Sequence, residues 1–162
     1  MWRLIVTGAA ALMIVSGAVA QKSQELQTLT RFGVLTLDQQ DRLVFRGHRL
    51  EPPIEPGTGM DLSEPFRIGQ TDVVLVTKIG GTACPFRYYF VRATDSGAKA
   101  SPAFGTCNEA TSVKRVGNRI SLTMHGFLGP FEPEAQRRKA FQQIHVFVFQ
   151  DGAVTENGKP IE

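Results

Sequence analysis

The chain has 162 residues, with 18 basic and 15 acidic side chains and a formal net charge of +3. That length suits one domain with a real core. The longest basic run is Arg137-Arg138-Lys139, with Glu132 and Glu134 just before it. This is the pattern of a solvated helical face, and it argues against a nucleic-acid or anionic-lipid patch.

Residues 1–20 read as a cleavable signal peptide. Arg3 supplies the positive n-region, Leu4 to Val15 the apolar core, and Ala18-Val19-Ala20 the small-residue cleavage site. The apolar run is shorter than the roughly 20 residues that span a bilayer, and no second long apolar run follows. The expected product starts at Gln21 and carries no integral membrane segment. Losing Arg3 leaves 17 basic against 15 acidic side chains. The expected location is periplasmic or secreted.

Residues 21–31 are polar, with Leu26 and Leu29 three apart, and read as a loose arm or short helix ahead of a single β domain over 32–162. Phe32 to Leu37 and Arg42 to Arg46 flank Asp38-Gln39-Gln40-Asp41 as a hairpin. From Pro52 to Glu64 the prolines and glycines break any ladder, and a surface loop is expected. Asp72 to Ile79 is β-branched without polar alternation, which predicts a strand buried on both faces. Phe86 to Arg92 is its expected antiparallel neighbour. Asp95-Ser96-Gly97 turns the chain into a weaker strand over 98–104. Residues 112–116 and 119–124 flank Gly117-Asn118 as a two-residue hairpin. A second breaker-rich loop runs from Gly126 to Pro133. Good helix formers follow, with a short helix near 133–141. Ile144 to Phe149 is the last strong strand, and Asp151-Gly152 and Asn157-Gly158 predict a terminal strand or hairpin. Many short strands with one helix predict a mainly β domain, an antiparallel sandwich or a partly open barrel.

Cys84 and Cys107 are the only cysteines. In an exported chain they predict one disulfide, and the turns bring both sulfurs to one end of the central hairpin. Closing that loop stabilises by roughly 3 kcal/mol, a large part of a domain's usual margin of about 5–15 kcal/mol. The Cys-x-x-Cys spacing of a redox pair is absent. No His or Cys stands at metal-ligand spacing, so neither a metal nor another cofactor is expected.

Three histidines bear on catalysis. His145 alternates with Phe147 and Phe149 and reads as a packed or interface residue. His48 lies in a turn beside Arg46 and Arg49, as a surface group. His125 precedes Gly126 and is the histidine placed to line a cleft. Neither Gly-x-Ser-x-Gly nor a phosphate-binding glycine loop occurs, and the scattered aspartates sit where turns call for them. Arg87, Tyr89 and Arg92 form an aromatic–arginine interleave. It reads either as a stacking platform or as the outer face of an ordinary sheet.

Thr82-Ala83-Cys84-Pro85 followed by Phe104-Gly105-Thr106-Cys107 resembles a two-cysteine hairpin of small uncharacterised exported proteins of Gram-negative bacteria. The resemblance implies a disulfide-bearing β domain outside the cytoplasm, and it carries over no catalytic residue. The expected function is an exported, non-catalytic binding module acting through a protein interface in the envelope. Two other readings accompany it: a secreted or translocated effector of a host-associated bacterium, and a small periplasmic hydrolase built around His125.

Overall fold

The structure, a computed structural model, describes residues 26–162. The leader at 1–20 and the first part of the expected arm lie outside the described residues. Among the described residues there are three antiparallel sheets and one helix, and the sheets do not close into a barrel.

The N-terminal sheet contains β1 (Gln27–Thr30), β2 (Gly33–Leu37), β3 (Leu43–Phe45) and β4 (His48–Arg49), in that order. The expected arm or helix is thus corrected over Gln27–Thr30, which pairs with β2 from Gln27↔Thr36 to Thr30↔Gly33. Its polar residues alternate in exposure, with Thr28 and Thr30 buried. Thr30 Oγ1 donates to the Gly33 carbonyl at 2.7 Å. Hydroxyls that find carbonyl partners can be buried at modest cost, so a strand forms without an apolar signal.

The central sheet is built on β7 (Thr71–Ile79) and β8 (Phe86–Thr94), paired from Asp72↔Ala93 to Ile79↔Phe86. β9 (Gly97–Ala100) extends it beyond β8. On the opposite edge, β5 (Gly59–Leu62) pairs with one half of β7 and β6 (Phe66–Ile68) with the other. The stretch from Pro52 to Glu64 is therefore not wholly loop. The long β7 offers a full row of backbone donors and acceptors, and leaving that row unpaired in a core costs free energy. Short segments are recruited to satisfy it.

The third sheet follows the order β10 (Ala110–Val116), β11 (Arg119–His125), β12 (Ile144–Gln150), β13 (Ala153–Glu156), β14 (Lys159–Pro160). Gly117 has φ +58 at the first position of the β10–β11 turn, which is the glycine conformation of a type II′ hairpin. Asp151-Gly152 and Asn157-Gly158 both have positive φ at both central residues. Those turns match the twist of the flanking strands, so the tail adds two strands. The expected helix is α1 (Glu134–Gln142), entered after Pro133.

Two apolar clusters stack the sheets. Val73, Leu75, Tyr88, Phe90 and Phe104 meet Ile120, Leu122, Met124, Phe147, Phe149 and Val154 between the central and third sheets. Val74, Val76, Val91 and Ala93 meet Leu35, Leu43, Phe45, Leu50 and Ile54 between the central and N-terminal sheets. Alternate residues of β7 and β8 thus feed opposite cores. This is the reason β7 shows no polar alternation.

Candidate functional site

The sandwich is open at the end where β11 stops and β12 begins. The connection between them folds back as the 126–133 loop and α1. Gly126 N–H donates to the Gln143 carbonyl at 2.9 Å, and Gln143 N–H donates to the Ala140 carbonyl at 2.9 Å. A Cβ on Gly126 would stand 2.4 Å from the Ala140 oxygen. Only glycine lets the end of β11 approach the helix this closely. Gly105, at φ +112, is needed for a similar reason, because a Cβ there would lie 2.8 Å from the Tyr88 ring.

These approaches frame a cleft of about 590 Å³ bordered by Gly105, Thr106, Gly126, the Phe127-Leu128 pair, one side of α1, His145 and Glu156. His145 Nδ1 lies 2.6 Å from Glu156 Oε1. Both residues continue the inward face of their strands, His145 after Phe147 and Glu156 after Val154. They reach the mouth of the core, where no opposing sheet covers them. Their meeting follows from the Asp151-Gly152 turn: Gln150↔Ala153 fixes Phe147↔Glu156, which leaves Glu156 diagonal to His145. With Nδ1–H donating to the carboxylate, Nε2 is the ring atom free to act as an acceptor; with both nitrogens protonated, it becomes a donor. Lys139 and Gln136 from α1, with Gln143 just beyond it, supply further polar groups on the lining.

His145, expected as a packed or interface residue, is half-buried and stacked beside Phe147 at the edge of the core, and it also borders this cleft. His125 stands elsewhere. It lies on the outer face of β11, with its ring stacked on Phe141 at 4.2 Å between centroids. Its Nδ1 lies 2.7 Å from the Phe141 carbonyl, an acceptor only, so Nδ1 carries the proton. Its own carbonyl accepts from Thr106 Oγ1 at 2.6 Å. No Ser, Asp or Glu side chain hydrogen-bonds its ring among the described residues. His125 clamps the helix end and is not part of the cleft lining. His48 is exposed on β4, as expected.

The structure does not bring Arg87, Tyr89 and Arg92 together. Period-two alternation puts Arg87 and Tyr89 on one face of β8 and Arg92 on the other. Tyr89 is half-buried against the N-terminal core. Burial pushes its hydroxyl up, partly opposed by the Arg87 charge. Arg92 points toward Gly152, its Nη1 lying 3.0 Å from where a Cβ there would stand. The platform expectation is corrected on this geometry.

Cys84 and Cys107 are joined, with Cα atoms 4.7 Å apart. The bridge ties the end of the central hairpin to the segment carrying Gly105 and Thr106, and so to one wall of the cleft. Tyr88 reinforces that wall: Ala110 N–H donates to its Oη at 2.9 Å, and its hydroxyl donates to the Asn108 carbonyl at 3.3 Å.

Large apolar side chains are exposed on and around the 126–133 loop and α1. Phe131 is 92% exposed, Phe141 53%, Ile144 50% and Leu128 38%. α1 itself buries none of its residues. A second cleft of about 640 Å³ is lined by Phe127 and Leu128 from the loop and by Arg137, Arg138 and Phe141 from α1. Among the described residues, no three His, Cys, Asp or Glu side chains gather as a metal site, and no helix is long and apolar enough to cross a membrane. No protein-family model, curated protein or solved structure matches the chain.

Proposed function

We propose that the protein is an exported binding module that acts without catalysis, through a protein interface formed by α1 and the 126–133 loop. The observation that carries this reading is a nine-residue helix that buries none of its side chains, beside four exposed large apolar residues. Isolated helices of that length are marginal in water. This one is held by the His125 clamp and the Gly126–Gln143 hydrogen bond, not by packing of an apolar face. A helix fixed in place with its surface left open is a recognition element, and exposed aromatics flanked by arginines are the side chains that dominate protein interfaces. Export rests on the leader read in residues 1–20, and the Cys84–Cys107 bridge suits an oxidising compartment.

A photo-crosslinking residue at Phe131, compared with one at the exposed Lys99 on β9, tests the reading in the native host. The expected outcome is a discrete protein adduct from position 131 that is lost in Phe141→Ser, and none from position 99. Equal labelling from both positions, or no adduct from either, would remove the interface assignment.

A further inference from the structure

Strands of all three sheets turn at the end of the molecule away from α1. Asp72 accepts from the Arg31 N–H and side chain, which brings the β1–β2 turn beside the start of β7. Arg46 Nη1 donates to the Asp95 carbonyl at 3.0 Å, joining the β3–β4 and β8–β9 turns. A cleft of about 380 Å³ is bordered by Ile68, Thr71, Arg92, Asn118 and Asp151, so the turns after β6, β10 and β12 meet at this end too.

Register gathers cations there that the sequence keeps apart. Lys114, Arg115 and Arg119 belong to the β10–β11 hairpin, in a stretch from Ala110 to Phe131 without one acidic residue. Arg92 and Lys99 stand opposite each other on β8 and β9. Arg67 lies near the end of β6, and Arg46 in the β3–β4 turn. All seven are exposed, and among the described residues none is paired with a carboxylate. Asp72 is neutralised by Arg31; the other acidic residues at this end are Asp95, Asp151 and Glu162. The end therefore carries eight basic against four acidic side chains, a charge of +4. The rest of the described residues carry eight against ten, a charge of −2. The longest basic run, on α1, lies at the opposite end with Glu132 and Glu134 beside it.

We propose that this end docks on the anionic headgroups of a lipid bilayer. Val116, the last residue of β10, selects that partner: it is 76% exposed between Arg115 and the Gly117-Asn118 tip, with Arg119 directly across the ladder. Arg115 Nε donates to the Gly117 carbonyl at 2.9 Å, which keeps its charge at the tip. An apolar side chain ringed by cations is the pattern of an interfacial site, where the cations meet the phosphates and the side chain enters the acyl boundary. Leu29, exposed beside the β1–β2 turn, is a second such residue. A soluble polyanion satisfies the cations and leaves Val116 in water. No aromatic side chain is exposed at this end among the described residues, so single-stranded nucleic acid finds no stacking platform. The charge separation turns the cationic end to the bilayer and leaves α1 pointing away from it. The docking site goes beyond the interface at α1 and does not depend on it.

The experiment floats the protein, isolated from its native host, with vesicles of phosphatidylglycerol and phosphatidylcholine in equal parts, and with vesicles of phosphatidylcholine alone. Binding to the anionic vesicles that weakens with salt, and none to the neutral ones, is expected. Lys114→Gln and Arg119→Gln should each weaken binding about fivefold, the worth of one basic residue near an anionic surface. Val116→Ser should weaken it about tenfold, the lower end for burying a valine side chain. Lys159→Gln removes the same charge from the opposite end and should leave binding unchanged. In the unaltered protein, a spin label on the lipid headgroup should broaden the amides of Gly117 and Asn118 and spare those of α1, a readout that needs no variant to fold. No binding to anionic vesicles, equal binding to neutral ones, equal loss in Lys159→Gln, or broadening centred on α1 overturns the inference. Full binding by Val116→Ser, or binding of soluble polyglutamate as tight as that of the vesicles, overturns the lipid assignment in favour of an acidic protein partner.

Discussion

Tyr88 and Tyr89 are adjacent, and they are the only tyrosines in the chain. Alternation sends Tyr88 into the core between the central and third sheets and Tyr89 toward the core beneath the N-terminal sheet. Burial pushes both hydroxyls above the ordinary tyrosine value of 10.0, with the Ala110 N–H and the Arg87 charge opposing it in part. A folded state that holds its protons more tightly than the unfolded chain loses stability as pH rises. The tyrosine contribution is therefore intact below about pH 10 and falls away as the pH climbs through the folded-state values. Ultraviolet titration of tyrosinate in native protein should lie above the titration in urea, with a smaller fraction ionised at the free-tyrosine midpoint. Coincident curves would show that neither ring is buried in solution. The paired burial was readable in the alternation from Phe86 to Arg92. The same alternation, applied one step further, separates Arg92 from Arg87 and Tyr89. His145 and Glu156 needed the hairpin register as well as the pattern. Asp151-Gly152 contains that register, but it becomes a contact only once the strand ends are fixed to the residue.

Elements with a strong periodic or turn signal were legible: β7 with β8, the hairpin about Gly117-Asn118, α1, and the last strands. Those that escaped are β1, β4, β5 and β6, each four residues or fewer. Their own composition does not specify them; the unpaired edge of a longer strand does. The connection from β11 to β12 shows the same dependence at the candidate site, since α1 buries nothing and takes its position from a backbone approach at Gly126. Gly126→Ala should drive a Cβ into the Ala140 carbonyl. Overpacking of this kind costs about 1–3 kcal/mol, and here it should also free the helix end from the His125 clamp. Gly129, with open space around it, is the control, and Gly129→Ala should stay within about 0.5 kcal/mol of the parent. Urea denaturation gives the energies, and the His125 ring resonances, shifted by Phe141 in the parent, report the clamp. Equal stability of the two variants would show that the close approach is not maintained.

At the scale of the whole molecule, the central sheet belongs to both cores at once. Val73 and Leu75 feed one cluster, Val74 and Val76 the other, so neither outer sheet has a core without it. Asp72 adds a polar tie: fully buried on β7, it accepts from Arg31 N–H at 2.6 Å and from Arg31 Nε at 2.8 Å. This joins the β1–β2 turn to the central sheet. The cross-link between Cys84 and Cys107 joins the central hairpin to the segment entering the third. Such sharing predicts one cooperative unfolding unit, as small single domains usually show. Leu35→Ala is the discriminating substitution, because Leu35 is buried in the N-terminal sheet and touches only the core on that side. Its loss should cost about 2–5 kcal/mol. If the three layers unfold together, the cost is paid by all of them: amide exchange in β11 and β12, on the far side of the molecule, should accelerate by the same factor as exchange in β2 and β3. If β11 and β12 keep their protection while β2 and β3 lose theirs, the N-terminal sheet is a separable unit. In the cooperative case the cleft at His145 and the interface at α1 inherit their stability from residues in the opposite layer.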